Sequence, residues 1–432
     1  MIAAARRAAV DALAQIDEGH LDMGAAIARV RATLDDERDG ALLLEIVTGT
    51  LRMRNALDYQ LAARVKRPLA KLDDAVLRIL RLSAFQLLYL SRSKASAVIH
   101  DAVELTRRAG KSSASGLTNA VLRAIARDKD QLSWPPPDDP DYLAVVHSHP
   151  RWVVDRWLAR YGRPDTEAWL SFNNHAASLC LAANRHQTNR EELIAELAAS
   201  GVSARPAGRA ANGVVVTDGR ALETSAFTGG RFIVQDEASQ LIGELAASYS
   251  PAYALDLCAS PGGKTLAISA TAGTVIACDV RTPRVRLLMR TLERCRVPNA
   301  RVVHTPASGP LPFKDRSFDL VLIDAPCSGL GTVRRDPDIR WRRSPDDLPV
   351  FAAAQRDLLA RAADLVIPGG RLIYSTCSSE PEENEDVVSA FLDTRSDFRQ
   401  KQTHQTLPFR DGLEAFFAAV LERSQERPQE RS

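Results

Sequence analysis

Two cysteines stand where the sequence tends to place groups that react. The run Phe318-Asp319-Leu320-Val321-Leu322-Ile323 ends abruptly in Asp324-Ala325-Pro326-Cys327-Ser328-Gly329. An unbroken apolar, β-prone stretch that stops in an acid, a proline, a thiol and a glycine reads as a buried parallel strand delivering polar groups at its carboxyl end. Open α/β sheets take their ligands at that edge. Fifty residues on, Arg371-Leu372-Ile373-Tyr374-Ser375 runs into Thr376-Cys377-Ser378, so two thiols at the ends of two strands could face one cleft. Free cysteine commonly behaves as a small buried hydrophobe, and Cys180, Cys278 and Cys295 are assigned to that role. Cys327 and Cys377 sit among turn residues just past apolar strands, where a side chain stays reachable.

A second constellation is Asp256-Leu257-Cys258-Ala259-Ser260-Pro261-Gly262-Gly263-Lys264-Thr265, which follows a strand and opens a helix. Glycines let backbone approach a ligand closely, and a helix start offers unpaired N–H groups. A phosphate loop would need glycine at Cys258, so nucleotide hydrolysis is disfavoured. The next strand ends in Cys278-Asp279, which places an acid where ribose hydroxyls are usually held. Dinucleotide binding is possible on these residues, but the loop is not GxGxxG. A nucleoside without a pyrophosphate, such as S-adenosylmethionine, suits it better.

The elements that must position these groups alternate along the second half of the chain. Strands are expected at 253–257, 274–278, 301–304, 318–323 and 371–374, with helices between, which predicts a doubly wound parallel sheet. Residues 1–134 carry apolar positions at three-and-four spacing, as in Ala75-Val76-Leu77-Arg78-Ile79-Leu80, and read as an all-helical domain. The prolines at 135–137 and 140 mark a linker over 135–148. A small α+β domain follows at 149–230, with a helix carrying Trp157, strands at 178–183 and 213–217 and a helix over 190–200. Residues 231–424 form the α/β domain, entered through a helix capped near Asp236. The polar tail 425–432 is expected to be disordered.

Bulk properties exclude more than they establish. Six cysteines show neither CxxC spacing nor a His/Cys cluster, so neither a metal nor a disulfide framework is expected, and reduced thiols point to a cytoplasmic protein. No run of about 18 apolar residues would make a membrane span. The start, Met1-Ile2-Ala3-Ala4-Ala5-Arg6-Arg7, reads as a first helix rather than a removed leader, because acids follow at once. The net charge of +2 says little, but residues 51–134 hold 16 Lys and Arg against 7 Asp and Glu. Such a surface suits a nucleic-acid backbone, as it would suit merely solvated helix faces.

Taken together, Asp324-Ala325-Pro326-Cys327-Ser328-Gly329, Tyr374-Ser375-Thr376-Cys377-Ser378, Pro261-Gly262-Gly263-Lys264-Thr265 and Gln235-Asp236-Glu237-Ala238-Ser239 resemble the motifs of the RNA cytosine-C5 methyltransferases. The helical segment is similar to the NusB-like domain, and the combination resembles the bacterial 16S ribosomal RNA methyltransferases of type B. The resemblance implies an S-adenosyl-L-methionine cofactor held by Cys258, Ala259, Ser260, Pro261, Gly262, Gly263, Lys264, Asp279 and Asp324. It implies Cys377 as the nucleophile that adds to carbon 6 of cytosine, so that carbon 5 can take the methyl, and Cys327 as the residue that resolves the adduct. A second role weighed for Asp324 is contact with the base edge, including protonation of ring nitrogen 3. Lys264 and the cofactor's charge are expected to help form the thiolate.

The implied partner is 16S ribosomal RNA, with a monomer favoured. Alternatives are another RNA, such as tRNA or 23S, or a ribosome-assembly factor that binds RNA without catalysis. Arg334, Arg335, Arg340, Arg342 and Arg343 surround Trp341 directly after the first cysteine motif, a composition that suits phosphates and a stacked base. Their position favours RNA contact over an exposed charged loop. One departure stands out: after 301–304 the family usually has an acid against the adenine, where this chain has Thr305-Pro306-Ala307-Ser308.

Overall fold

A computed structural model describes residues 2–425, so the expected disordered tail falls outside the description except at Gln425. The chain forms two compact units. One runs to Ala176 and takes in Val333–Ser344; the other begins at Ala177 and continues after Pro345. The helix Arg151–Asn174, read from sequence as the start of the small α+β domain, therefore belongs to the first unit.

The first unit is all-helical, as its periodicity predicts. Its helices include Ala4–Asp17, Met23–Arg31, Glu37–Arg52, Asp74–Tyr89, Ala95–Arg108 and Ser115–Asp128. Their apolar stripes, Leu43, Ile46 and Val47 on one helix and Val76, Ile79 and Leu80 on another, are buried in the core. Gly49 lets the Phe85 ring pack against its helix backbone, since a Cβ there would lie 1.9 Å from that ring. The first helix is tied in by Arg6, whose guanidinium donates to Asp101 Oδ2 at 2.7 Å and to Gln86 Oε1 at 2.8 Å.

The arginine-rich segment after the first cysteine motif corrects an expectation. Arg340 is fully buried in the helical unit and donates to the carbonyl oxygens of Ser148 at 2.9 Å and Val333 at 3.2 Å. Burial, with the charge of Arg52 beside it, brings its guanidinium down to about 9, and burial holds His149 well below the usual histidine range. Trp341 is half-buried and donates its indole N–H to the Leu51 carbonyl at 2.6 Å. These two side chains anchor the segment to the helical unit through its backbone carbonyls. Arg340→Met should cost about 2–4 kcal/mol, because it strands buried carbonyl groups. Denaturant unfolding followed on the helical unit measures this; unchanged stability with weakened RNA binding would return Arg340 to the RNA surface.

The second unit holds two sheets. The smaller is antiparallel, ordered β2-β3-β1-β4, from β1 (Cys180–Ala183), β2 (Ser203–Pro206), β3 (Gly213–Asp218) and β4 (Phe232–Val234). The larger comprises β5 (Tyr253–Asp256), β6 (Thr274–Asp279), β7 (Ala300–His304), β8 (Phe318–Asp324), β9 (Val366–Thr376), β10 (Phe398–Thr406) and β11 (Phe416–Arg423), ordered β10-β11-β9-β8-β5-β6-β7. The five strands from β5 to β9 are parallel, and the sheet is extended at one edge by the antiparallel pair β11 and β10, which the sequence reading missed. Leu320, Val321, Leu322 and Ile323 are wholly inaccessible, as a central parallel strand covered on both faces requires. Cys180, Cys278 and Cys295 are buried. Strand order reverses between β5 and β8, the place where such sheets open a crevice. No described helix is long and apolar enough to cross a membrane.

Candidate active site

Adjacent strands bring the two thiols together. β8 and β9 pair in parallel with Asp324 opposite Ser375, so the loops that continue them start at the same level. Cys327 Sγ and Cys377 Sγ lie 3.3 Å apart, and both residues are half-buried. The loop after Cys327 is held against β9, with the Gly331 N–H donating to the Cys377 carbonyl at 3.0 Å. Any side chain at Gly331 would meet the Ala415 carbonyl at 2.1 Å. The hydrogen bond to Cys377, then burial, pushes the Cys327 thiol well above the ordinary cysteine range, with the charge of Glu383 adding to it. Either sulfur can donate in this contact.

The cofactor loop lies at the ends of β5 and β6, on the same edge of the sheet. Gly262 has φ of 112°, a left-handed conformation that only glycine adopts readily, and precedes the helix Gly263–Ser269. Gly263 is small for a different reason than close approach to a ligand: a Cβ there would lie 2.7 Å from the Gln235 amide. Cys258, Ala259, Ser260 and Pro261 form the turn itself, with the Ala259 N–H donating to the Cys278 carbonyl at 2.8 Å.

Lys264 does not stand free to stabilise a thiolate. Its ammonium is nearly inaccessible, 2.6 Å from Asp324 Oδ2 and 3.0 Å from Ser239 Oγ, while Ser375 Oγ donates to Asp324 Oδ1 at 3.0 Å. The glycine-loop, first-cysteine and Gln235–Ser239 motifs therefore meet at one ion pair.

Asp279 is buried at the end of β6 and already engaged, accepting from Arg284 Nε at 3.0 Å and from the Arg281 N–H at 3.2 Å. Thr305, in the position where an acid is usual, is buried and donates its N–H to the Asp279 carbonyl at 3.2 Å. Asp256, fully buried, accepts from Thr265 Oγ1 at 2.7 Å. Its Oδ1 has no hydrogen-bond partner, and burial pushes its carboxyl up to about 7, Asp324 and Asp279 adding to the shift. Burial and the same three acids, led by Asp256, push the Cys258 thiol well up.

Asp324 is paired with Lys264 and Asp279 with Arg284, while burial raises the Asp256 carboxyl, so the acids around the loop are largely compensated within the protein.

Comparison with known proteins agrees in each part. A family model described as 16S rRNA methyltransferase RsmB/F matches residues 247–422, the NusB family model matches residues 3–127, and the ferredoxin-like domain of RsmF/B-like methyltransferases matches residues 149–223. A probable ribosomal RNA small subunit methyltransferase B of Bacillus subtilis is 34% identical over 371 residues, which cover 84% of this chain and 82% of that protein. The ribosomal RNA small subunit methyltransferase B of Pseudomonas putida is 33% identical over 436 residues, covering 96% and 98%. The chain belongs to the RsmB/F family of ribosomal RNA methyltransferases.

Among solved structures, PH0851 superposes with a TM-score of 0.82 at 25% identity, covering 97% of this chain and 98% of that one. NSun6 from Pyrococcus horikoshii with SFG, at 18% identity and a TM-score of 0.56 over 65% of this chain and all of that one, shares the fold. As an RsmB/F enzyme the protein uses S-adenosylmethionine to methylate ribosomal RNA. The cofactor brings an electrophilic methyl on a positively charged sulfur.

Two contributors escaped the sequence reading: Arg284 lacks any motif signature of its own, and Glu383 sits in an acidic turn that looks solvated.

Proposed function

We propose that the protein methylates carbon 5 of a cytidine in 16S ribosomal RNA, in the cytoplasm, through a covalent Cys377 adduct. The observation that carries this reading is the 3.3 Å approach of two thiols at the ends of neighbouring strands, beside the cofactor loop. A methyltransferase acting on a nitrogen or a hydroxyl would have no use for a thiol pair.

Cytosine carbon 5 is a poor nucleophile. Addition of the Cys377 thiolate to carbon 6 forms an S–C bond and moves the ring's π electrons towards carbon 5, which then takes the methyl. Carbon 5 now carries both a methyl and a proton. Loss of that proton re-forms the 5,6 double bond and expels Cys377 as thiolate, which closes the balance. The base in this reading is Cys327, the thiol that the family resemblance assigns to resolving the adduct.

Once the Cys377 sulfur is bonded to carbon 6, Cys327 stands 3.3 Å from the adduct's sulfur, gives its own proton to solvent and takes the one on carbon 5. Asp324 is committed to Lys264 and Ser375, which fits holding the cofactor side better than donating a proton to the ring.

The choice of 16S RNA rests on the names of the relatives and on the NusB match across residues 3–127, the segment proposed as an RNA-binding domain. The test is incubation of the purified protein with methyl-tritiated S-adenosylmethionine and, separately, 16S RNA and tRNA. Tritium in 5-methylcytidine at one position of 16S RNA is expected. Label confined to tRNA would overturn the substrate, and label in a product other than 5-methylcytidine would overturn the chemistry.

A further inference from the structure

Glu383 is a fully buried carboxylate with no part in the chemistry described above. It lies in the short turn Pro381–Glu383 that follows β9. Its Oε1 accepts from the Ser328 N–H at 2.8 Å and from Gln355 Nε2 at 3.1 Å; its Oε2 accepts from the Ser328 and Ser378 hydroxyls, each at 2.5 Å. Ser328 follows Cys327 and Ser378 follows Cys377. One carboxylate therefore grips the residue next to each thiol.

The neighbours of Glu383 complete the arrangement. Gln355 Nε2 also donates to the Pro326 carbonyl at 2.9 Å, so Cys327 is held on both sides. Asn384 accepts from Thr376 Oγ1 and donates to the Ser378 carbonyl at 3.0 Å, so Cys377 is held on both sides as well. The Tyr374 hydroxyl donates to the Glu383 carbonyl at 2.5 Å and fixes the turn to β9. A buried carboxylate is costly unless its oxygens are satisfied, and here all of its compensation comes from the two cysteine loops and the helix bearing Gln355.

We propose that Glu383 is a positioning residue for methyl transfer: its carboxylate locks the two cysteine loops to each other and so sets the distance between the two thiols. The inference rests on the proposed roles of Cys377 and Cys327. Carbons 5 and 6 are bonded neighbours, so the two sulfurs must serve adjacent atoms of one ring without re-packing between steps. Loops that drifted by about 1 Å would lose on the order of 100-fold in rate. The negative charge also favours the protonated form of Cys327.

The test uses the full chain with Glu383→Gln, which retains volume but replaces an acceptor by an N–H donor facing two hydroxyls, and with Ser378→Ala, which removes one anchor and leaves the carboxylate. Turnover on 16S RNA is measured together with closure of the Cys327–Cys377 disulfide by diamide, which takes two electrons and two protons from the thiols and becomes the hydrazine. Closure needs neither RNA nor cofactor and reads thiol separation directly. For Glu383→Gln, kcat should fall about 10- to 100-fold with KM for RNA within about twofold, and closure should slow about tenfold or more; Ser378→Ala should move both in the same direction by less.

Wild-type turnover and wild-type closure in Glu383→Gln would overturn the proposal, and if that variant does not fold, the same result in Ser378→Ala would do so. If closure slows while Cys377→Ala still methylates RNA, the covalent mechanism is wrong but the hold of Glu383 on the loops stands. If Cys377→Ala is inactive and closure is unaffected, the error lies with Glu383 alone.

Discussion

Cys377→Ala is expected to abolish methyl transfer, by on the order of 10⁴-fold or more, because without a thiolate on carbon 6 the ring cannot make carbon 5 nucleophilic. No neighbouring group replaces it. Cys327 is 3.3 Å away, but with Cys377 gone its own position remains fixed by the hold of Glu383 on Ser328 and of Gln355 on Pro326 rather than shifted to the attack site. Folding should be little disturbed, since the residue is half-buried in a loop and the change removes one atom. RNA affinity should stay within a few-fold of wild type, as binding precedes the covalent step. Tritium incorporation and filter binding on the same preparation measure both quantities; turnover near the wild-type rate would remove Cys377 from the nucleophile's role.

Cys327→Ala should behave oppositely and accumulate protein covalently joined to RNA, visible as a slow band on a denaturing gel. The methylated adduct then has no base to take the carbon 5 proton, so the S–C bond to Cys377 persists. Two features make the outcome specific. The band should require S-adenosylmethionine, because before methylation the addition simply reverses, and it should vanish in the Cys327→Ala, Cys377→Ala double variant. Multiple turnover should fall about 100-fold or more, within the range usual for losing a positioned general base. Free turnover with no adduct would count against the release step assigned to this thiol.

Between these two thiols the structure adds a relationship that residue types do not carry. Asp324, Cys327, Ser375 and Cys377 could be placed at strand ends because each follows an apolar run, a signal that lies within a few neighbours in the chain. That they share one edge at one level depends on β8 pairing with β9 in a given register. Lys264 was legible as part of a glycine loop, but its commitment to Asp324 and Ser239, from strand and helix ends far apart in sequence, was not. Arg340 and Trp341 show the limit most plainly. A cluster of arginines around an aromatic has the composition of an RNA-binding loop, yet two of its members serve as a buried anchor, and only the partners in space distinguish the uses.

What the sequence alone determined was therefore local: apolar runs that must be strands, turns that must follow them, the two reachable thiols, the helical periodicity of the first unit and the alternation that makes an α/β sheet. The tertiary structure decided what depends on long-range pairing. It set the order of the strands and the antiparallel pair β10 and β11 at the edge, the balance of charge around the cofactor loop, and the burial of Glu383 between two loops. The physical reason is that backbone propensity and hydrophobic period act over a few residues, whereas a buried charge is stable only where distant chain segments bring it partners. Its position in the chain looks the same whether it faces water or closes an active site.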